Sequence, residues 1–164
     1  MLSSIRKKKE GFTIIEVLIV LAIAGLIMLV VFLAVPALQR NARNTQRSND
    51  VASILGAVSE FTNNNNGLAP DTATVAGGTL TLTNAATTGA NSVTTKLGYY
   101  KNAGNVSISG SAAGSGTNST TTDTVVLFVG ADCNTVGTQA INGPSRSVAA
   151  TFTLEANARQ CKAS

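Results

Sequence analysis

The sequence predicts an α+β chain: one long amino-terminal helix whose second half lies on an antiparallel β-sheet head. Three observations predict it. From Val17 to Val35 no residue carries a charge, and the one non-hydrophobic residue is Gly25. Beyond Leu38 the apolar residues Val51, Ile54, Leu55, Val58 and Phe61 recur at i, i+3, i+4, i+7 and i+10, which makes one helical stripe suited to a sheet. Late in the chain, Val125-Val126-Leu127-Phe128-Val129 is an unbroken apolar run, and Ser147 to Glu155 alternates. These are the patterns of a central strand and of a strand with one apolar face.

The first half of the helix is long enough, at about 1.5 Å per residue, to cross a hydrocarbon layer of roughly 30 Å. The cluster Arg6, Lys7, Lys8 and Lys9 precedes it. Such bases stay on the cytoplasmic side, which places the amino terminus inside and the bulk of the chain outside. Glu16 is the single acid in the first turn of this apolar stretch. An acid there costs on the order of 3 kcal/mol, so a lone one reads as functional. A secretory signal cut behind Val35-Pro36-Ala37 is the competing interpretation, but such signals have an apolar core of about 7–15 residues. This core is longer and contains Glu16.

Pro36 removes a backbone donor and Gly25 weakens its turn, so both are expected points of bending. Arg40, Arg43 and Arg47 share a helical face. They read as a solvated basic stripe; the sharper reading is contact with acids of a neighbouring copy, for which Asp50 and Glu60 are candidates. Asn63-Asn64-Asn65-Asn66-Gly67 ends the helix and Pro70 prevents its resumption. The expected helix therefore runs from Phe12 to Thr62, roughly 75 Å at the standard rise.

Gly11-Phe12-Thr13-Ile14-Ile15-Glu16-Val17-Leu18-Ile19-Val20, behind a short basic leader, resembles the class III signal of type IV pilins and the related pseudopilins. The resemblance is strong from Lys7 to about Phe61 and general beyond. It implies the pilin fold and a chain organised as leader 1–11, transmembrane and filament-core helix 12–38, amphipathic continuation 39–62 and β-rich extracellular head 63–164. It implies that a prepilin peptidase cuts between Gly11 and Phe12, that Phe12 is then N-methylated, and that Glu16 is the assembly acid. Glu10 departs from a purely basic leader. The implied partners are identical copies in a helical homopolymer, the peptidase, the pilus assembly machinery, and the cytoplasmic membrane before assembly. The mature protein then resides in an extracellular filament.

Cys133 and Cys161 are the two cysteines of the chain. In an oxidising compartment an even pair usually bridges; two buried free thiols are the alternative. The resemblance adds that a disulfide near the carboxyl end commonly closes a loop. If the two late strands pair antiparallel, the tail carrying Cys161 must fold back to reach Cys133.

The net charge of +4 points less to nucleic acid than it first suggests. Residues 1–11 hold four of the twelve bases and one of the eight acids, which leaves eight bases against seven acids. Aromatic residues are 4% and are not interleaved with bases, so a stacking platform for single strands is not expected. Lys96, Lys101, Arg146 and Arg159 form a basic patch only if folding gathers them.

Between Pro70 and Thr124 the chain is rich in Thr, Ser, Ala, Asn and Gly. Thr79 to Thr83 alternates, with Leu80 and Leu82 on one face. Val93 to Leu97 and Val106 to Ser109 read as weaker strands, Ser109 to Thr122 as a loop, and Asn142-Gly143-Pro144 as a turn. Asn105-Val106-Ser107 and Asn118-Ser119-Thr120 fit the glycosylation pattern, a chance match in so Asn- and Thr-rich a chain.

The chain has no histidine, which excludes Ser-His and Cys-His nucleophiles and His-based metal sites. Asp71, Asp123, Asp132 and Glu155 are dispersed and form no calcium-loop pattern. Asp123 and Asp132 are the sole candidates for an ion site near the carboxyl end, and none is expected there. The expectation is a structural filament subunit, a major type IV pilin, with no enzymatic activity, cofactor or metal. The alternatives are a pseudopilin of a type II-like secretion machine, or a minor pilin whose head captures DNA or another ligand.

Overall fold

The computed structural model describes residues 11–86, 91–110 and 121–164. The basic leader, most of the expected Ser109–Thr122 loop and the Asn118 pattern lie outside the described residues. Two compact units are present, the first ending at Gln39 and the second running Arg40–Ser164.

Helix α1 spans Ile14–Asn64, 51 residues, with Gly25 and Pro36 inside it. It starts and ends two residues later than the pattern predicts. Its end is built by the asparagine run. Asn66 and Gly67 take φ of 56° and 87°, the left-handed values that a helix terminus favours. Gly67 N donates to Thr62 O at 2.8 Å. The positive φ is what favours glycine here; the exposed Arg146 guanidinium lies over the position and is free to move aside.

In the first unit no other described residue packs on the helix. Its best 18-residue window has a mean hydropathy of 3.3 and no buried residue, so it is long and apolar enough to cross a membrane.

In the second unit α1 lays Val51, Ile54, Val58 and Phe61 into one core with Leu80, Leu82, Val125 and Leu127. The β strands are β1 (Thr72–Ala76), β2 (Thr79–Thr83), β3 (Val93–Lys96), β4 (Val106–Ser109), β5 (Val125–Val129), β6 (Ala131–Cys133), β7 (Ala140–Asn142), β8 (Val148–Thr153) and β9 (Arg159–Ala163). They form sheets ordered β1-β2-β3 and β4-β5-β8-β9 and a hairpin β6-β7. The α+β prediction of one helix on a mainly antiparallel head agrees with this architecture.

Several details differ from expectation. β1 has no strong alternation, yet it pairs with β2 through Ala76 and Thr79. The turn between them is Gly77-Gly78, both at positive φ, the two-residue geometry that suits a hairpin. β4 runs parallel to β5 rather than antiparallel, since the connection over residues 110–124 is long enough to return the chain.

β8 pairs antiparallel with β5 from Val125↔Phe152 to Val129↔Val148. Its expected single apolar face is half the story, because all six of its residues are buried. Val148, Ala150 and Phe152 face the helix core, while Ala149 joins a second cluster with Phe128, Ala131 and Cys161. That second face is covered by the β6–β7 hairpin, which also packs on the neighbouring strand β9.

The tail does fold back. β9 pairs with β8 through Thr151↔Cys161, and Cys161 is bonded to Cys133 with their Cα atoms 5.7 Å apart. Of the two possibilities for these cysteines, the bridge is the one formed. Gly143 sits where a Cβ would come within 2.8 Å of the Ala131–Asp132 backbone, so it lets the chain stay close to β6 as it leaves the hairpin, with Gly143 N donating to Gly130 O at 2.9 Å.

Candidate assembly site

The start of α1 is a capping box. Thr13 precedes the first helical residue and Glu16 lies three residues on. Thr13 N donates to Glu16 Oε2 at 2.8 Å, Thr13 Oγ1 donates to the same oxygen at 2.7 Å, and Glu16 N donates to Thr13 Oγ1 at 3.4 Å. Each residue thus satisfies an amide that a helix terminus otherwise leaves open. The carboxylate also faces the positive end of the helix dipole. The role of Thr13 is not among the expectations above, although the Thr-x-x-Glu spacing is a signature of a helix start.

Both Thr13 bonds fall on Oε2. Among the described residues Oε1 has no partner, so the carboxylate keeps an oxygen for a further donor. Gly11 and Phe12 lie immediately outside the box, and Phe12 is 90% exposed. Beyond it Ile14, Leu18, Leu29 and Phe32 are among a long series of large exposed apolar side chains. Exposed apolar area of this extent on one element marks a surface for lipid or for a partner. The arrangement is a carboxylate, preset by its own helix, at the mouth of a bare apolar rod.

Of the three arginines on this helix face, Arg43 and Arg47 are engaged within their own chain, whereas Arg40 stays exposed. Arg43 grips Glu155 with both forks: Nε to Oε1, and Nη2 to Oε2 at 3.0 Å. Arg47 is 2% exposed. Its guanidinium lies 4.2 Å over the Tyr99 ring and donates to Tyr99 Oη and, at 3.0 Å, to Asn44 Oδ1. It stands 3.6 Å from Glu155. Tyr99 Oη donates in turn to Asp123 Oδ1 at 2.8 Å. The Arg43 guanidinium holds the Glu155 carboxyl below its ordinary value, and Arg43 itself is raised by the same bond. Burial raises the Tyr99 hydroxyl, with the Asp123 bond adding to it. Burial likewise raises Tyr100.

Asp50 is also spent inside the chain. Its carboxylate accepts from Gly98 N at 2.8 Å, Tyr99 N at 2.7 Å and Tyr100 N at 3.1 Å. Helix and sheet are therefore fastened by polar groups as well as by the apolar core.

Lys96, Lys101, Arg146 and Arg159 are exposed and sit on β3, the loop after it, the turn before β8, and β9. Asp132 accepts from the neighbouring Cys133 N at 2.7 Å, and Asp123 is held by Tyr99, so the two acids serve separate local structures. Among the described residues no group of three or more potential ligands is placed to hold a metal. The Asn105 side chain donates to Asp123 O and accepts from Asn102 N at 2.7 Å, which makes it a clasp for the start of β4.

Residues 6–32 match the prokaryotic N-terminal methylation motif. This is the class III signal typical of type IV pilins and pseudopilins, and the long helix with a disulfide-bonded head fits a pilin-like fold. No curated protein and no solved structure matches the chain.

Proposed function

We propose that this chain is the precursor of a structural subunit, the major one, of a type IV pilus filament. The observation that carries the reading is the juxtaposition at the amino end: a methylation motif, a Gly11-Phe12 junction, a capped Glu16 and an apolar helix with no covering. A peptidase cut after Gly11 frees the Phe12 amine. That amine carries positive charge at the positive end of a helix, where it is unfavourable alone. Glu16 Oε1 of a neighbouring copy supplies the missing counter-charge. In low dielectric the attraction is large, and the desolvation of both ions opposes it. The pair therefore acts on register: a misplaced copy buries two unpaired charges.

Before assembly the segment from Phe12 to Leu38 is held in lipid. After assembly the same surface is covered by its equivalents on other copies. A repeated contact between unlike surfaces extends without closing, which yields a filament. The head, with Asp123 and Asp132 committed to local bonds, serves as its structural exterior.

Mass mapping of the amino terminus in protein sheared from the cell surface tests the reading. The expected product begins at N-methylated Phe12 and is the dominant species of the sheared fraction. A product that retains residues before Gly11, or one beginning after Leu38, overturns it.

A further inference from the structure

Asparagine followed by glycine is a chemically weak joint, and the chain has two, Asn66-Gly67 and Asn142-Gly143. With no Cβ on the second residue, its backbone nitrogen reaches the asparagine side chain with little obstruction. The nitrogen loses its proton to solvent and bonds to Cγ, and the Cγ–Nδ2 bond breaks to release ammonia. Water then opens the resulting ring at either carbonyl, which leaves aspartate or isoaspartate. Solvent water is the one co-reactant. A hydrogen bond that holds the glycine N–H suppresses the step until local opening frees the nitrogen.

Both asparagines are exposed, and both glycine nitrogens are tied, by different means. Gly67 N donates to Thr62 O at 2.8 Å at the end of α1, a helix seated in the main core through Val58 and Phe61. Gly143 N donates to Gly130 O at 2.9 Å, where the chain leaves the β6–β7 hairpin. That hairpin has three residue pairs, from Ala131↔Asn142 to Cys133↔Ala140, and a ribbon of two short strands is marginal by itself. It is fastened through Ala131 in the small cluster with Phe128, Ala149 and Cys161, and through the Cys133–Cys161 bond to β9. Cutting that bond lowers the cost of opening at Gly143 N, while Gly67 N stays held by the helix end.

We infer that Asn142 is a redox-gated modification site, kept intact while Cys133 and Cys161 are bonded and deamidated once they are reduced. A dithiol supplies the two electrons, is itself oxidised to a disulfide, and leaves both cysteines as thiols. The change is also a one-way latch. Isoaspartate adds a methylene to the main chain between residues 142 and 143, where a Cβ on Gly143 would already stand 2.8 Å from the Ala131–Asp132 backbone. The lengthened chain does not fit that passage, so the hairpin no longer returns Cys133 to Cys161. A subunit that has once lost its disulfide is thereby marked permanently.

The test incubates the detergent-solubilised full chain in mildly alkaline buffer, with and without a dithiol. Peptide mass mapping counts aspartate and isoaspartate at positions 142 and 66. A chain carrying both Cys133→Ser and Cys161→Ser opens the same tie without reductant. Deamidation at Asn142 is expected to rise at least about tenfold in the reduced and in the serine-substituted chain, while Asn66 changes by less than about twofold. After the dithiol is removed, the unmodified fraction is expected to regain its disulfide and the isoaspartate fraction to remain unbridged. Equal rates at Asn142 with and without the bond overturn the gate. A parallel rise at Asn66 also overturns it, because it reports general unfolding of the head. A re-formed disulfide in the isoaspartate fraction overturns the latch.

Discussion

Glu16 is a residue whose conformation is set locally, without the rest of the fold. A carboxylate in an uncharged run is costly once that run enters lipid, and Thr13 presets it by local bonds alone. Glu16→Ala is expected to leave the cut at Phe12 intact and to lower the sheared filament yield; amino-terminal mapping and yield measured together check both halves. Asp50 and Arg47 are the opposite case. Their partners Tyr99 and Tyr100 lie some fifty residues along the chain, and no local spacing announces them. Asp50→Ala orphans three backbone amides, and buried unsatisfied donors cost about 1–3 kcal/mol each. The expected loss is about 3 kcal/mol or more, measured as the urea midpoint of the head transition in the detergent-solubilised chain. Glu155 contributes a pH dependence. Its folded value is depressed by Arg43, so its stabilisation is present above the unfolded carboxylate value of about 4.3 and is lost as pH falls through the lower folded value. The urea midpoint should drop over that acid window, and the drop should shrink in Glu155→Gln.

At the scale of elements, the helix and the strongly patterned strands follow from their own periodicity. The 3.6-residue stripe and the apolar run over Val125–Val129 place α1 and β5 with boundaries that shift by two residues at most. β1 and the β6–β7 hairpin lack such a signature and exist because neighbours offer them a ladder. The Gly77-Gly78 turn is the one sequence signal that marks the first of these hairpins. Gly143 marks the second in a different way, by a close approach of two backbones. Gly143→Ala forces a Cβ to within 2.8 Å of the Ala131–Asp132 backbone. The expected cost is about 1–3 kcal/mol, as for other overpacked sites, seen as a lowered thermal midpoint with faster hydrogen exchange in β6 and β7.

For the whole molecule, the disulfide is the long-range constraint. It spans 28 residues of sequence and ties the hairpin to the last strand. The chain-entropy account assigns a loop of this size roughly 3–4 kcal/mol. Replacing both cysteines by serine should lower head stability by about that amount and leave the amino-terminal cut unchanged. A gel shift on trypsin digestion, confined to fragments after Val129, would report the loosened tail. Processing and head stability thus belong to separate units, and each is expected to fail without the other.

Three features were determined by sequence alone: the apolar rod, its lone acid, and the helical stripe that seats a sheet. Each depends on the order of residues within a few turns, which is where periodicity and the cost of a charge in an apolar stretch act. The tertiary structure decided the fate of the arginine face, the parallel placement of β4, the second covered face of β8, and the bond between Cys133 and Cys161. Those outcomes depend on groups far apart in the chain, and their free energies arise once packing has brought the groups together and removed the water between them.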